Sequence, residues 1–192
     1  CLTDKRWSNY WSERFARAFV GNDGGPFLLF RRRKFRMWLA EEFAQDRPYN
    51  QLVSRLITAE GLWTDRPEVN FYTATADGDE EGRADPIRIA GRASRVFLAK
   101  RIDCLQCHDD FIGNISLATD SGKRGGTQED FHKLAAFFDG VSIQNPLTGA
   151  QDDGRTYKAT LLGYSEPTEM LAAVPFDGQL YDSQLPRREA FA

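Results

Sequence analysis

Cysteine is scarce in this chain, with three in 192 residues. That excludes a disulfide scaffold, which needs a dense set of paired thiols. No apolar run is long enough to span a bilayer, and no signal-peptide pattern is visible. Histidine and methionine are scarcer still, with two of each. So few imidazoles leave no serine–histidine–acid set to assemble. The carboxylate pair Glu41-Glu42 offers no substitute, because adjacent helix residues point in different directions. Hydrolase chemistry therefore has no support. The net charge is −3. The basic run Arg31-Arg32-Arg33-Lys34 has no wider basic stripe or aromatic platform beside it, which speaks against nucleic-acid binding. That run reads as the solvated side of a helix.

Against this background one pentapeptide stands out: Cys104-Leu105-Gln106-Cys107-His108. C-x-x-C-H is the attachment signature of c-type haem. The two thiols bond covalently to the haem vinyl groups, and the adjacent imidazole becomes the proximal ligand to iron. The motif thus assigns one covalent haem c to Cys104, Cys107 and His108. A zinc site from Cys104, Cys107, His108 and His132 is the alternative, but neighbouring Cys107 and His108 make an awkward chelate. A structural disulfide is a further one.

The rest of the chain reads as a mainly α, irregular helical domain with long loops and the motif at the end of a helix. Trp7, Tyr10, Trp11, Phe15, Ala18 and Phe19 recur at helical spacing up to Gly21. A second helix runs from Pro26 through Phe35, Trp38, Leu39 and Phe43 to about Asp46, and Arg47-Pro48 breaks it. Leu52, Val53, Leu56 and Ile57 mark a third. Residues 62–85 read as a long loop. Its acidic stretch, Asp77 to Gly82, is solvated or a calcium site, though the EF-hand spacing is absent. Asp85-Pro86 opens a helix that leads into the motif. Residues 109–126 read as a polar loop, and Thr127 caps a helix holding Phe131, Leu134, Ala135 and Phe138. Tyr157 to Tyr164 has strand character. Residues 1–174 are expected to form the haem-binding domain and 175–192 a linker towards a further domain. Cys1 is either the edge of a longer protein or a lipid-bearing cysteine.

Four segments carry a family likeness: Tyr10-Trp11-Ser12-Glu13-Arg14-Phe15-Ala16-Arg17, Trp38-Leu39 through Val53, Ala93-Ser94-Arg95-Val96-Phe97-Leu98 leading into the motif, and Gln128 through Phe138. In order and spacing they resemble the planctomycete-type cytochrome domain of unknown function, found in large exported proteins of environmental bacteria. The resemblance implies export and haem c but no reaction. Arg187-Arg188-Glu189-Ala190 looks like the usual passage into a second domain of unknown function. The chain departs from the family pattern at Asp110 and Ala18, where histidines are common, and at His132, where a tyrosine is usual. The iron's second ligand is therefore not carried over.

For that second ligand His132 ranks first as the only spare imidazole, although the helical wheel puts it away from the Phe131–Phe138 face, at the core's edge or in solvent. Met170, Met37 and an open position are the alternatives. Arg92, Arg95 and Arg101 are candidates for haem propionates, Trp7, Trp11, Trp38 and Trp63 for an apolar wall, and Asp109 and Asp110 for a distal water. Two strong ligands imply electron transfer with a redox partner protein or an adjoining domain, in an exported location and with membrane contact only through an upstream anchor. An open position implies a haem enzyme or sensor. A haem-free binding module is the third alternative, so the sequence leaves open whether the protein is an enzyme.

Overall fold

In the computed structural model the chain is described at residues 3–22, 32–62, 64–76, 83–119, 122–143, 150–152, 157–174 and 186–192. The chain is mainly α, in agreement with its patterning, and the described residues contain only short two-stranded sheets. It forms two compact units, one of Cys1–Asp85 with Val141–Gln151 and Ala192, the other of Pro86–Gly140 with Asp152–Phe191.

The first unit is built on α1 (Lys5–Val20), α2 (Arg32–Ala44) and α3 (Tyr49–Ile57). The Asp4 carboxylate accepts from the Arg6 amide at 2.8 Å and caps α1. Gly21, at φ 81°, ends it. The buried face of α1 differs from the aromatic stripe expected of it. Tyr10 and Trp11 are exposed, whereas Ser8, Ser12, Ala16 and Phe19 are buried. The rings of Trp7 and Phe15 meet Phe43 of α2 edge-on, at 6.3 and 5.0 Å. The two serine hydroxyls donate to the carbonyls of Lys5 and Asn9 and so are satisfied within the helix. Phe35 and Leu39 of α2 join Leu52 and Leu56 of α3 in the core. Arg32 and Arg36 of the basic stretch pair with Glu13, at 2.8 and 3.8 Å. Glu41 is exposed and Glu42 buried, so the adjacent carboxylates do diverge. Glu42 is held by Arg55 at 2.7 Å and Arg47 at 2.9 Å.

The expected loop over 62–85 is only partly one. Pro67–Val69 forms a 3-10 turn that runs into α4 (Asn70–Thr73). Val69, Phe71 and Tyr72 are fully buried there, and Tyr72 donates its hydroxyl hydrogen to the Ile57 carbonyl. Three large apolar side chains in four residues outweigh the polar composition around them. The acidic stretch 77–82, with its calcium alternative, and Trp63 lie outside the described residues.

The second unit carries the motif. Its α5 (Pro86–Val96) starts at the expected proline but stops well short of Cys104. Ala99 adopts φ 52°, and the Lys100 amide bonds the Ser94 carbonyl at 2.9 Å. A left-handed residue cannot continue a right-handed helix. Asp103–Gln106 then forms a separate 3-10 turn, with Cys107 at its C-terminal cap. The motif therefore does lie at a helix end, but on its own short turn. Residues 109–126, expected as a loop, contain an antiparallel hairpin of β1 (Ser116–Thr119) and β2 (Gly122–Gly125). Thr127 caps α6 (Gln128–Ala135) in a reciprocal capping box with Asp130. Ile89, Ala93, Ile102, Leu105, Phe131 and Leu134 make the core.

Residues 141–143 form β3 (Val141–Ile143), paired with β4 (Ala150–Asp152). Of the strand read over 157–164, only β5 (Lys158–Ala159) forms, paired with β6 (Thr168–Glu169). Residues 175–185 of the expected linker lie outside the described residues. Beyond them α7 (Arg187–Phe191) sets the Phe191 ring 5.2 Å from those of Phe137 and Phe138.

Candidate functional site

A turn of 3-10 helix carries Cys104, with Cys107 at its cap and His108 next in the chain. Cys104 and Cys107 are exposed and unbridged, and His108 is exposed beside them. The Cys107 amide bonds the Cys104 carbonyl at 3.3 Å, so both thiols spring from a single turn. His108 Nδ1 lies 2.8 Å from the Asp109 carbonyl. A carbonyl only accepts, so Nδ1 carries a hydrogen, which leaves Nε2 as the ring nitrogen turned to a ligand. A metal-binding imidazole uses this arrangement, with one ring nitrogen held by a carbonyl.

The turn is anchored from below. Leu105, between the two thiols, is 0% exposed. Asp103 holds the start of the turn through Arg95 at 2.7 Å and Arg101 at 3.9 Å. Gly91 leaves room for this carboxylate, since a Cβ there would stand 2.8 Å from Asp103 Oδ1. Arg95 and Arg101, candidates for haem propionates, thus stand beside the motif with Asp103 as their partner.

The two aspartates after the motif serve the backbone. Asp109 Oδ1 accepts from the Gln128 amide at 2.7 Å, where the exposed amides and dipole of a helix start favour a carboxylate. Asp110 accepts from the amides of Ile115 and Ile112, and the Ile115 bond leads in holding its pKa below the ordinary value. In this arrangement both side chains are occupied with folding the loop.

His132 is buried, 7% exposed, rather than at the core's edge or in solvent. Its Nδ1 lies 2.7 Å from the Tyr157 hydroxyl, and the two rings stack at 5.8 Å. Burial lowers its pKa. Met170 is also buried and its amide bonds the Tyr157 carbonyl at 2.9 Å. Met37 belongs to the first unit, where it is half exposed on α2. Trp7, Trp11 and Trp38 belong to that unit as well; Trp11 is exposed and Trp38 buried. The zinc alternative does not assemble. No group of three or more histidine, cysteine or acidic side chains among the described residues is placed to hold a metal ion.

Apolar side chains lie exposed close to the motif. Phe111 and Ile112, three and four residues after His108, are 82% and 81% exposed, and Leu162 is 70% exposed. Leu162 is brought near by Gln128, which accepts the Leu162 amide at 2.6 Å through Oε1 and donates to the Gln106 carbonyl at 3.0 Å through Nε2. Sequence reading missed Gln128 and Tyr157. The first is detectable, because it sits four residues before His132 on one helix face. Nothing local marks the second.

Residues 1–142 match the model of the PSCyt2 family, described as "Protein of unknown function (DUF1549)". The chain belongs to this family. The PSCyt2 match takes in the motif turn and α6 and ends before Tyr157 and Leu162. No curated protein matches the chain, and no solved structure does. No helix among the described residues is long and apolar enough to cross a membrane.

The buried imidazole sets the acid sensitivity of this PSCyt2 chain. A histidine whose folded pKa lies below 6.5, its ordinary value, takes up its proton more readily in the unfolded chain. Its stabilising contribution is full above pH 6.5 and declines as pH falls through that value. Asp130 acts lower down. Burial alone would raise it, but Arg124 and Thr127 outweigh this and lower it below 3.8, so its contribution is lost only as pH falls beneath that value. Thermal unfolding followed by circular dichroism is expected to show stability falling between pH 7 and 5. His132→Gln should flatten that interval and leave the steeper loss below pH 4. A wild-type profile level from pH 7 to 5 would contradict the neutral buried ring.

Proposed function

We propose that the second unit binds one haem c covalently through Cys104, Cys107 and His108 and passes electrons as a module of a larger exported protein. What carries this reading is the motif turn. Two unbridged exposed thiols stand on this turn and its cap, the exposed His108 imidazole follows with Nδ1 held by the Asp109 carbonyl, and the exposed Phe111 and Ile112 come just after it in the chain. When bound, the haem supplies an iron centre that changes oxidation state by one electron. The protein's part is to hold the thiols at fixed spacing, to aim His108 Nε2 and to cover the porphyrin with apolar side chains. Attachment is carried out on exported chains, which fits export, and the electron donor or acceptor is a partner protein or an adjoining domain.

The second reading is a haem enzyme or sensor with an open iron position. The engagement of His132 with the Tyr157 hydroxyl favours it over bis-histidine ligation. Production in a host with c-type maturation tests both. The mass should rise by one haem, and the haem should survive acid–acetone extraction. Haem that extracts freely, or never attaches, sinks both readings. A reduced protein whose visible spectrum is low-spin and unchanged by carbon monoxide supports electron transfer, and one that binds the gas supports the open site.

A further inference from the structure

The Gln128 side chain carries a donor and an acceptor, and the fold uses both. The residue is buried, 7% exposed. Its Nε2 donates to the Gln106 carbonyl at 3.0 Å, inside the haem signature. Its Oε1 accepts the Leu162 amide at 2.6 Å. Its backbone amide donates to Asp109 Oδ1 at 2.7 Å, just after the signature. One residue at the start of α6 therefore holds the motif on both sides of Cys107 and His108, and holds the segment that carries Leu162. These partners lie 19, 22 and 34 residues from it in the chain, so all three bonds are tertiary. The segment fastened in this way bears exposed apolar side chains, Leu162 and Tyr164.

We propose that Gln128 is a positioning residue: its side-chain amide couples the motif turn to the 162–164 segment, so that the two thiols, His108 and the exposed Leu162 keep one arrangement. The coupling exists in the chain without haem. Its consequence, that Leu162 is set against an edge of the porphyrin, rests on the haem reading above. The logic is one of donors and acceptors. The neutral amide gives a hydrogen to one segment and takes one from the other. A glutamate carboxylate would keep the acceptor for Leu162 but turn a second acceptor to the Gln106 carbonyl. A methionine would fill the same space and keep neither bond. At this burial a lost partner leaves a polar group unsatisfied, which favours separation of the two segments.

Amide hydrogen exchange on the full, haem-free chain tests the coupling. The probes are the Leu162 amide and two amides of the turn, those of Leu105 and Cys107, which bond the Ile102 and Cys104 carbonyls. Gln128→Met should speed exchange at both ends by about tenfold or more. Gln128→Glu, ionised at neutral pH, should split them: Leu162 stays protected while the turn exchanges as in the methionine variant. A residue that merely stabilised the fold would move all three amides together. The glutamate variant carries the comparison if the methionine variant does not fold. Wild-type exchange at either end of a folded Gln128→Met chain overturns the proposal, as does a glutamate variant in which both ends change alike. In haem-loaded protein Gln128→Met should alter the Soret circular dichroism, which reads the asymmetry of the groups around the haem. An unchanged Soret signal would remove Leu162 from the haem's surroundings. If haem never attaches, the functional reading fails while the exchange result still decides the coupling.

Discussion

Replacing both Cys104 and Cys107 by serine is expected to abolish covalent haem altogether in protein made alongside c-type maturation. Each thioether forms by addition of a thiol S–H across a vinyl double bond. Sulfur joins one carbon and hydrogen the other, and nothing leaves. The thiolate is the reactive form of cysteine, and a serine hydroxyl offers no comparable nucleophile near neutral pH. Both thiols are exposed and free of any bridge, so their loss removes no packing, and far-ultraviolet circular dichroism should be unchanged. The measurement is intact mass after acid–acetone extraction. Wild type keeps one haem, each single variant keeps one thioether and shifts its pyridine haemochrome band, and the double variant keeps none. A double variant that retains haem through extraction rules out attachment at this motif.

Truncating Leu105 to alanine is expected to cost the second unit about 2–5 kcal/mol, the range for fully buried leucines. Leu105 is the motif residue that faces inward. Its Cδ1 would stand 2.6 Å from a Cβ placed on Gly126, and Ile115 Cγ2 would stand 3.0 Å from it. Such a fit leaves little room for neighbours to relax into the space an alanine would open. Gly126→Ala tests the fit from the other side, by overpacking, with an expected cost of about 1–3 kcal/mol. Urea unfolding of the haem-free chain reads both changes. A Leu105→Ala loss below about 1 kcal/mol would mean that the turn is not anchored through this side chain.

The elements legible in the sequence are those whose signals are local. Pro86 opens α5, Thr127 caps α6, Gly21 closes α1 and Pro48 precedes α3. Each acts through the backbone within a few residues. Where the sequence misled, packing had overridden local pattern. Tyr10 and Trp11 carry helical spacing yet lie outside, whereas Ser12 and Ala16 of the same helix are buried. Phe71 and Tyr72 sit among polar residues yet form a buried helix, because they fill a core built by segments far along the chain. The polar composition of 109–126 concealed a hairpin, since cross-strand pairing in β1 and β2 has no periodic apolar signal there.

The candidate site divides along the same line. Its donor set is local: two thiols and an imidazole within five residues, on one short turn, its cap and the residue after it. The sequence by itself determined those three residues, the mainly α class and the scarcity of other ligands. Only the tertiary structure decided where the one remaining imidazole goes. Helical periodicity placed His132 away from the apolar stripe of α6. The hydroxyl of Tyr157, brought there from 25 residues away, makes burial of that ring favourable. A helical wheel measures apolar periodicity, and a buried polar side chain is placed by the partners that satisfy it, which no local pattern contains.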